Sequence, residues 1–434
     1  MLRSVTALAL AALALTPSVA AAAGWSRPAS FNARTSSFSE PAPRAAVAED
    51  GTSVAAWIQG RDVRLTTGDA RGRFGASRAV GRWQAVPPAV AAGPGGAALV
   101  TWEAADGIRI ALRTKAGRAF RVRRLTTSTG SAINGLTARH DPRGGWFVAE
   151  RQFPRRGSGK PYRVRTFTLR PDGTLRLPPV ELGLGQFGID ARPTRALAVD
   201  RLGRATLAFG TQGGPRGVLV ARGTHGGQLA NPRPLPSDGS VVDARVAAAA
   251  AGTSLVTATK ATRCGDGGAC SGAPFVWRSG ETGDPVALGG PQLDVPGRAF
   301  GPSVAPLAAG GASLVFQLKD GSQPFARQAP VKAVRITANG TVGRLQTLTS
   351  RPAQEPVAVP LTGSRALVVW SGTRGFGAAL ADSRGAYRTV APPVGPPPSS
   401  GHSNPTNRDV ASAGRYVLVA WDRGGRVRLT LRRF

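Results

Sequence analysis

The sequence predicts an all-β chain built from repeated four-stranded antiparallel units, and three observations carry that prediction. The 434 residues include 57 Gly and 35 Pro, a density of breakers that leaves no room for long helices. An apolar run closed by a marker residue recurs about every fifty residues. Each copy is bracketed by turn signals that make it half of a hairpin.

The run reads GTSVAAW ending at Trp57, GAALVTW at Trp102, GWFVAE at Glu150, GRATLAF at Phe209, GTSLVTA at Ala258, GASLVFQ at Gln317, SRALVVW at Trp370 and RYVLVAW at Trp421. Successive markers are 45, 48, 59, 49, 59, 53 and 51 residues apart. A second short apolar run precedes the copies, as in RAAVAEDG, PAVAAGPGG, RALAVDRLG, RVAAAAAG and EPVAVPLTG. The two runs form strands A and B. A further hairpin follows, clearest in IRIALRTKAGRAFRVRRL, RVRTFTLRPDGTLRLPPVEL and VKAVRITANGTVGRLQTL. It supplies strands C and D, with Asp172-Gly173 and Asn339-Gly340 as its turns.

Four strands per unit, with an inner strand of Ala, Val and Gly that tolerates crowding around an axis, are what a β-propeller blade requires. Eight copies predict a single propeller of eight blades, or seven if one unit is irregular. The last unit, RDVASAGRYVLVAW followed by RVRLTLRRF, has no residues left for strand D. The segment GWSRPASFNAR near the other end resembles the D segments RFGASRAV and QLANPRPL. It is expected to complete that blade and close the ring, which also removes an exposed sheet edge.

Residues 1–23 have one basic residue, Arg3, then an apolar stretch and a run of alanines. This is the layout of a secretory signal peptide, with cleavage before Ala23 or Gly24 and residues 24–434 as the propeller. The apolar stretch is too short to span a membrane, and no cysteine sits at the cleavage site to carry a lipid. A secreted, extracellular, monomeric protein without a transmembrane anchor is expected. Cys264 and Cys270, in CGDGGAC, are then expected to form a local disulfide. His140, His225 and His402 have no paired spacing, so no metal or other cofactor is expected.

The whole pattern resembles secreted bacterial β-propeller repeat proteins, a class that in the broad sense includes sialidase-like enzymes. The resemblance rests on period and blade layout over about 400 residues. It implies function on the face shared by the D-to-A and B-to-C loops. It lacks good Asp-boxes of the form Ser-x-Asp-x-Gly-x-Thr-Trp; the nearest segment is Arg170 to Thr174. The tyrosines Tyr162, Tyr387 and Tyr416 have no recognisable partner as a sialidase nucleophile.

The irregular insertions fall on that face: ERQFPRRGSGKPY, TKATRCGDGGACSGAP, LKDGSQPFARQAP and the linker Ala391 to Asp409. Loop aromatics Phe153, Tyr162 and Phe325 are candidates for ligand contact, whereas the marker tryptophans belong to packing between blades. Arginines open strand A as Arg44, Arg195 and Arg245, with Arg408 at the matching edge of the last unit. They suit forked binding of carboxylate or sulfate. Asp190 and Asp243 open two strand A segments within the tripeptide Asp-Ala-Arg. Glu103, Glu150 and Asp422 lie at or just after strand B markers, where paired carboxylates for acid/base work would sit.

The chain carries 56 Lys+Arg against 24 Asp+Glu, a net +32, nearly all of it arginine. Loss of Arg3 leaves +31 on the mature chain, a charge that attracts any extended polyanion. Outside the cell, acidic cell-wall polymers or other extracellular polymers, or a protein partner, are more plausible than nucleic acid. The reading favoured by sequence is therefore a non-catalytic binding or scaffolding propeller, with a polysaccharide-active hydrolase or lyase of sialidase-like type as the alternative. The discriminating feature is a pair of carboxylates within reach of one another.

Overall fold

The computed structural model describes residues 24–33, 42–126, 132–153, 163–184, 196–210, 217–223, 228–237, 241–249, 253–264, 270–280, 284–291, 297–307, 310–320, 329–372, 375–393 and 408–434. Among them there is no α-helix, and Pro94–Gly96 form a 3-10 turn. No helix among the described residues is long and apolar enough to cross a membrane.

Five sheets hold four antiparallel strands each. The first unit runs Arg44–Val47, Ser53–Gln59, Asp62–Gly68 and Arg78–Arg82, in chain order across the sheet. Eleven further strands between Val241 and Thr389 share one hydrogen-bonded sheet that repeats the same antiparallel hairpins through three more units. Those units are joined by the long strand Gln346–Leu361 and by a single parallel pairing of Gly272 with Arg298. The pattern of four-stranded antiparallel units is that of a propeller-like fold.

Strand B is apolar at nearly every position because it is buried on both faces, which explains why the repeat reads as a continuous run. In the first unit Val54 and Ala56 face the second, packing with Val100 and Trp102. The alternate residues Ala55 and Trp57 face the last unit, packing with Tyr416, Leu418 and Leu429. The marker tryptophans Trp57, Trp102 and Trp421 are fully buried and Trp370 is nearly so, as expected for packing between units. Strand A of each unit lies against strand A of the next, from Arg44–Val47 through Ala89–Ala92, Ala132–His140, Leu197–Val199, Val241–Ala248, Gly297–Pro306 and the second half of Gln346–Leu361. Arg408–Ala413 follows and lies in turn against Arg44–Val47. There the Asp409 carboxylate accepts the Ala45 backbone N–H at 3.0 Å.

The segment Ala29–Asn32 pairs with Arg426–Arg433, Ala29 opposite Leu429 and Asn32 opposite Arg426. It occupies the outer position that strand D holds in the other units.

Glycine shapes the outer strands where an indole needs the space. Gly377 is the register partner of Trp370, and a methyl built on it would sit 2.2 Å from the indole. The substitution G377A is expected to destabilise the fold by about 1–3 kcal/mol through overpacking. Denaturant unfolding measures this, and an unchanged midpoint would show that the ring can move aside freely.

Candidate active site at the loop end of the units

The register fixes which side chains share one end of the units. Arg44 pairs with Ala56, Arg245 with Thr257 and Arg408 with Trp421, so these arginines lie at or one residue before the marker positions of strand B. Glu103, Glu150 and Asp422 occupy the same end. All six are buried.

Their environments differ. Arg408 donates to the Ser371 hydroxyl and, at 2.9 Å, to the Gln354 carbonyl, so its guanidinium ties the last unit to the one before. Arg44 donates to the Pro43 carbonyl at 3.1 Å. Arg245 reaches toward the following unit, where a methyl on Gly301 would come within 3.1 Å of its Nη2. Asp190 and Arg195 lie outside the described residues, as do Tyr162 and Phe325 and the central parts of the predicted loop insertions. The backbone of Asp243 belongs to strand Val241–Ala248, but its side chain and that of Phe153 are outside the described set. Cys264 and Cys270 are Cα partners in their hairpin, their side chains likewise undescribed. Among the described residues no cluster of three or more His, Cys, Asp or Glu could hold a metal.

Glu103 and Glu150 lie in adjacent units, and the Glu103 charge acts on Glu150. Glu103 follows the strand B marker of the second unit and Glu150 is the marker of the third. Glu103 accepts the Ile133 backbone N–H of the third unit at 3.3 Å. Glu150 lies directly opposite Arg165, which forms an ion pair with its Oε1, while Gln152 donates to the same oxygen at 3.0 Å. In each glutamate Oε2 is buried without a hydrogen-bond partner among the described residues.

Burial pushes the Glu150 carboxyl up to about 7; the Arg165 charge and the hydrogen bonds from Arg165 and Gln152 pull against it, and the neighbouring Glu103 charge adds to the rise. Burial also raises Glu103, opposed by the Ile133 N–H. A buried carboxyl whose ionisation is raised to near neutrality can give and take a proton. Arg165 stacks over Phe167, 5.1 Å from the ring centroid, which fixes the guanidinium against Glu150.

Sequence inspection marks both glutamates but not Arg165 or Gln152. Strand B continues past Glu150 to Phe153 and strand C begins at Arg163. The length between them leaves the pairing of Glu150 open until the register is seen.

No family model matches the sequence, and no curated protein matches it. Solved structures with a partly similar chain path include a polysaccharide lyase at 11% identity, covering 88% of each chain with a TM-score of 0.49. An ulvan lyase bound to a sulfated glucuronate-rhamnose ligand has 11% identity, 91% and 92% coverage of this chain and its own, and a TM-score of 0.48. The α-L-arabinanase of Penicillium chrysogenum, in complex with arabinobiose, has 13% identity, 69% and 93% coverage and a TM-score of 0.40. The expectation of a non-catalytic binding or scaffolding propeller is corrected here. These structures are of carbohydrate-active enzymes, the class of the alternative reading, a polysaccharide hydrolase or lyase. Of the resemblance to propeller repeat proteins, the coarser part stands, a propeller-like fold.

Proposed function

We propose that the protein is a polysaccharide hydrolase or lyase acting at the loop end of the units, with Glu150 as the group that gives or takes the proton. The observation that carries this reading is the buried Glu150, poised near neutrality beside Arg165, with the charge of Glu103 in the adjacent unit adding to its rise. The hydrolase branch is the better supported. Protonated Glu150 would donate to the leaving oxygen, and ionised Glu103 would serve as base or nucleophile. The same proposal takes residues 24–434 as one eight-bladed propeller whose ring is closed by Ala29–Asn32, supported by the succession of strand A contacts that returns from Arg408–Ala413 to Arg44–Val47. It takes residues 1–23 as a secretory signal.

The test incubates the full chain, expressed with its own leader, with arabinan and with ulvan. A rise in reducing ends without new ultraviolet absorbance identifies a hydrolase, and a rise in both identifies a lyase that leaves an unsaturated uronate. Folded protein that releases no product from either polymer, or from a panel of neutral and acidic polysaccharides, overturns the enzymatic reading. Mass spectrometry of protein from the medium checks for a start at Ala23 or Gly24; intact protein retained in the cell argues against export.

A further inference from the structure

Glu150 has two unlike oxygens. Its side chain is fully buried and stands in one row across the third unit, with Leu136 of Ala132–His140 opposite it on one side and Arg165 of Arg163–Leu169 on the other. Residues opposite one another share a face of the sheet, and Gln152, two positions along the same strand, shares it as well. The donors gather on one oxygen. Arg165 donates from Nε to Oε1 and makes its ion pair with the same atom, and Gln152 donates to it from Nε2 at 3.0 Å. Leu136 offers nothing polar; it belongs to the apolar cluster with Trp146, Val148, Leu99 and Ile108. Oε2 is left buried with no hydrogen-bond partner among the described residues.

The Arg165 guanidinium is held to this contact. It lies over Phe167, 5.1 Å from the ring centroid. Glu181 stands opposite Arg165 on its far side, but the Glu181 carboxylate is paired with Arg163 at 3.4 Å. The other charge acting on Glu150 is that of Glu103, which opposes ionisation. A protonated carboxyl has one carbonyl oxygen, which accepts, and one hydroxyl, which donates. A proton on Oε1 would be aimed among N–H groups that already point at that oxygen, whereas a proton on Oε2 meets none.

We infer that Oε2 is the oxygen of Glu150 that carries and exchanges the proton, and that Arg165 and Gln152 are positioning residues that hold Oε1 and leave Oε2 to react. The assignment of the oxygen stands on the hydrogen bonds alone; its use in polysaccharide cleavage rests on the reading above. In that cleavage the Oε2–H bond breaks and its electron pair stays on the carboxylate. The proton passes to the leaving oxygen, which takes the electron pair of the breaking bond to the sugar carbon, while water or Glu103 supplies that carbon with its new bond. Arg165 balances the charge left on Glu150 through Oε1.

The experiment records infrared difference spectra of the full chain between about pH 5 and about pH 9, where a carboxyl raised toward neutrality changes state. Native protein, E150Q, Q152L and R165K are compared, and the carboxylic C=O band missing from E150Q belongs to Glu150. With the proton on Oε2 the C=O is Oε1, whose stretch is lowered by its donors, so the band is expected to move to higher frequency in Q152L and in R165K. A native band at the frequency of a carbonyl without donors, unmoved in both variants, places the proton on Oε1 and overturns the inference. Q152L is also expected to raise the pH of Glu150 ionisation by about one unit, since a hydrogen bond to the charged form is lost. On a polymer that the native chain cleaves, kcat in Q152L should fall about 10- to 100-fold with KM unchanged, the alkaline limb moving with the infrared titration. Q152L with native kcat and an unmoved limb removes the positioning role. Because Q152L alters no charge, it keeps the test sound if R165K folds poorly by near-ultraviolet circular dichroism. The spectra need no substrate: band shifts without cleavage of any polymer uphold the oxygen assignment and sink the enzymatic reading, and cleavage without band shifts does the reverse.

Discussion

Replacing Glu150 with glutamine is expected to lower kcat about 100- to 10,000-fold, the range for loss of a positioned acid or base. The same change should alter how stability depends on pH. The Glu150 carboxyl lies at about 7 in the fold against an ordinary 4.5. Between those values the folded chain holds a proton that the unfolded chain has lost, so stability falls as pH rises through the window. The contribution is fully present below about 4.5 and gone above about 7, and it amounts to about 3 kcal/mol. Glutamine cannot ionise, so E150Q should show no such decline, and its stability relative to the native chain should improve from pH 4.5 to pH 8. Urea unfolding across this range measures it. If Glu150 is the acid, native activity falls as pH rises through about 7, and in E103Q the upper end of the stability decline moves to lower pH because the neighbouring negative charge is gone. A purely structural Glu150 would give the stability trend with no limb in the rate, and that result would sink the catalytic role.

The repeat is readable in the sequence because strand B is buried on both faces, and a doubly buried strand is an unbroken apolar word that self-comparison finds. The turns are less readable for a topological reason. Asp69, Asp141, Asp200 and Asp382 each accept a backbone N–H two residues on through Oδ1, and glycine with positive φ stands at the third position after each. This Asp-x-x-Gly turn closes the A-to-B hairpin at Asp141 and Asp200 but the C-to-D hairpin at Asp69 and Asp382. Its copies therefore fall out of phase with the fifty-residue period, and a search for Asp-boxes passes over them. The site is legible where a polar residue interrupts an apolar word. Glu150 takes a marker position and Glu103 follows one. Arg408 stands at the edge the sequence indicates, yet its guanidinium is bound to Ser371 and Gln354, a contact no spacing could reveal.

Removing residues 24–33 is expected to cost about 5 kcal/mol and to make the protein prone to self-association. The estimate comes from what the segment buries. Phe31 packs against Trp57 with ring centroids 5.2 Å apart, and Trp25 meets Phe434 edge-on at 6.4 Å. Each large aromatic side chain contributes about 1.5–3 kcal/mol when removed from water. The polar contacts are specific as well. Ser26 donates its N–H to the Leu431 carbonyl at 2.8 Å, its hydroxyl accepts from the Leu431 N–H at 3.0 Å, and its carbonyl accepts from the Thr430 hydroxyl at 2.7 Å. Without the segment, Arg426–Arg433 becomes an open sheet edge, a template for pairing with another chain. A closed ring and a linear stack respond differently. In the ring the last unit is also held by Asp409 against Ala45 and by Tyr416 and Leu418 against Trp57, so the deletion lowers the unfolding midpoint of the whole molecule as one transition. In a linear stack the terminal unit frays alone and the main transition keeps its midpoint. A synthetic peptide of residues 24–33 added back should restore the midpoint by adding a strand to the open edge. An unchanged midpoint after deletion would remove the closing role from Ala29–Asn32.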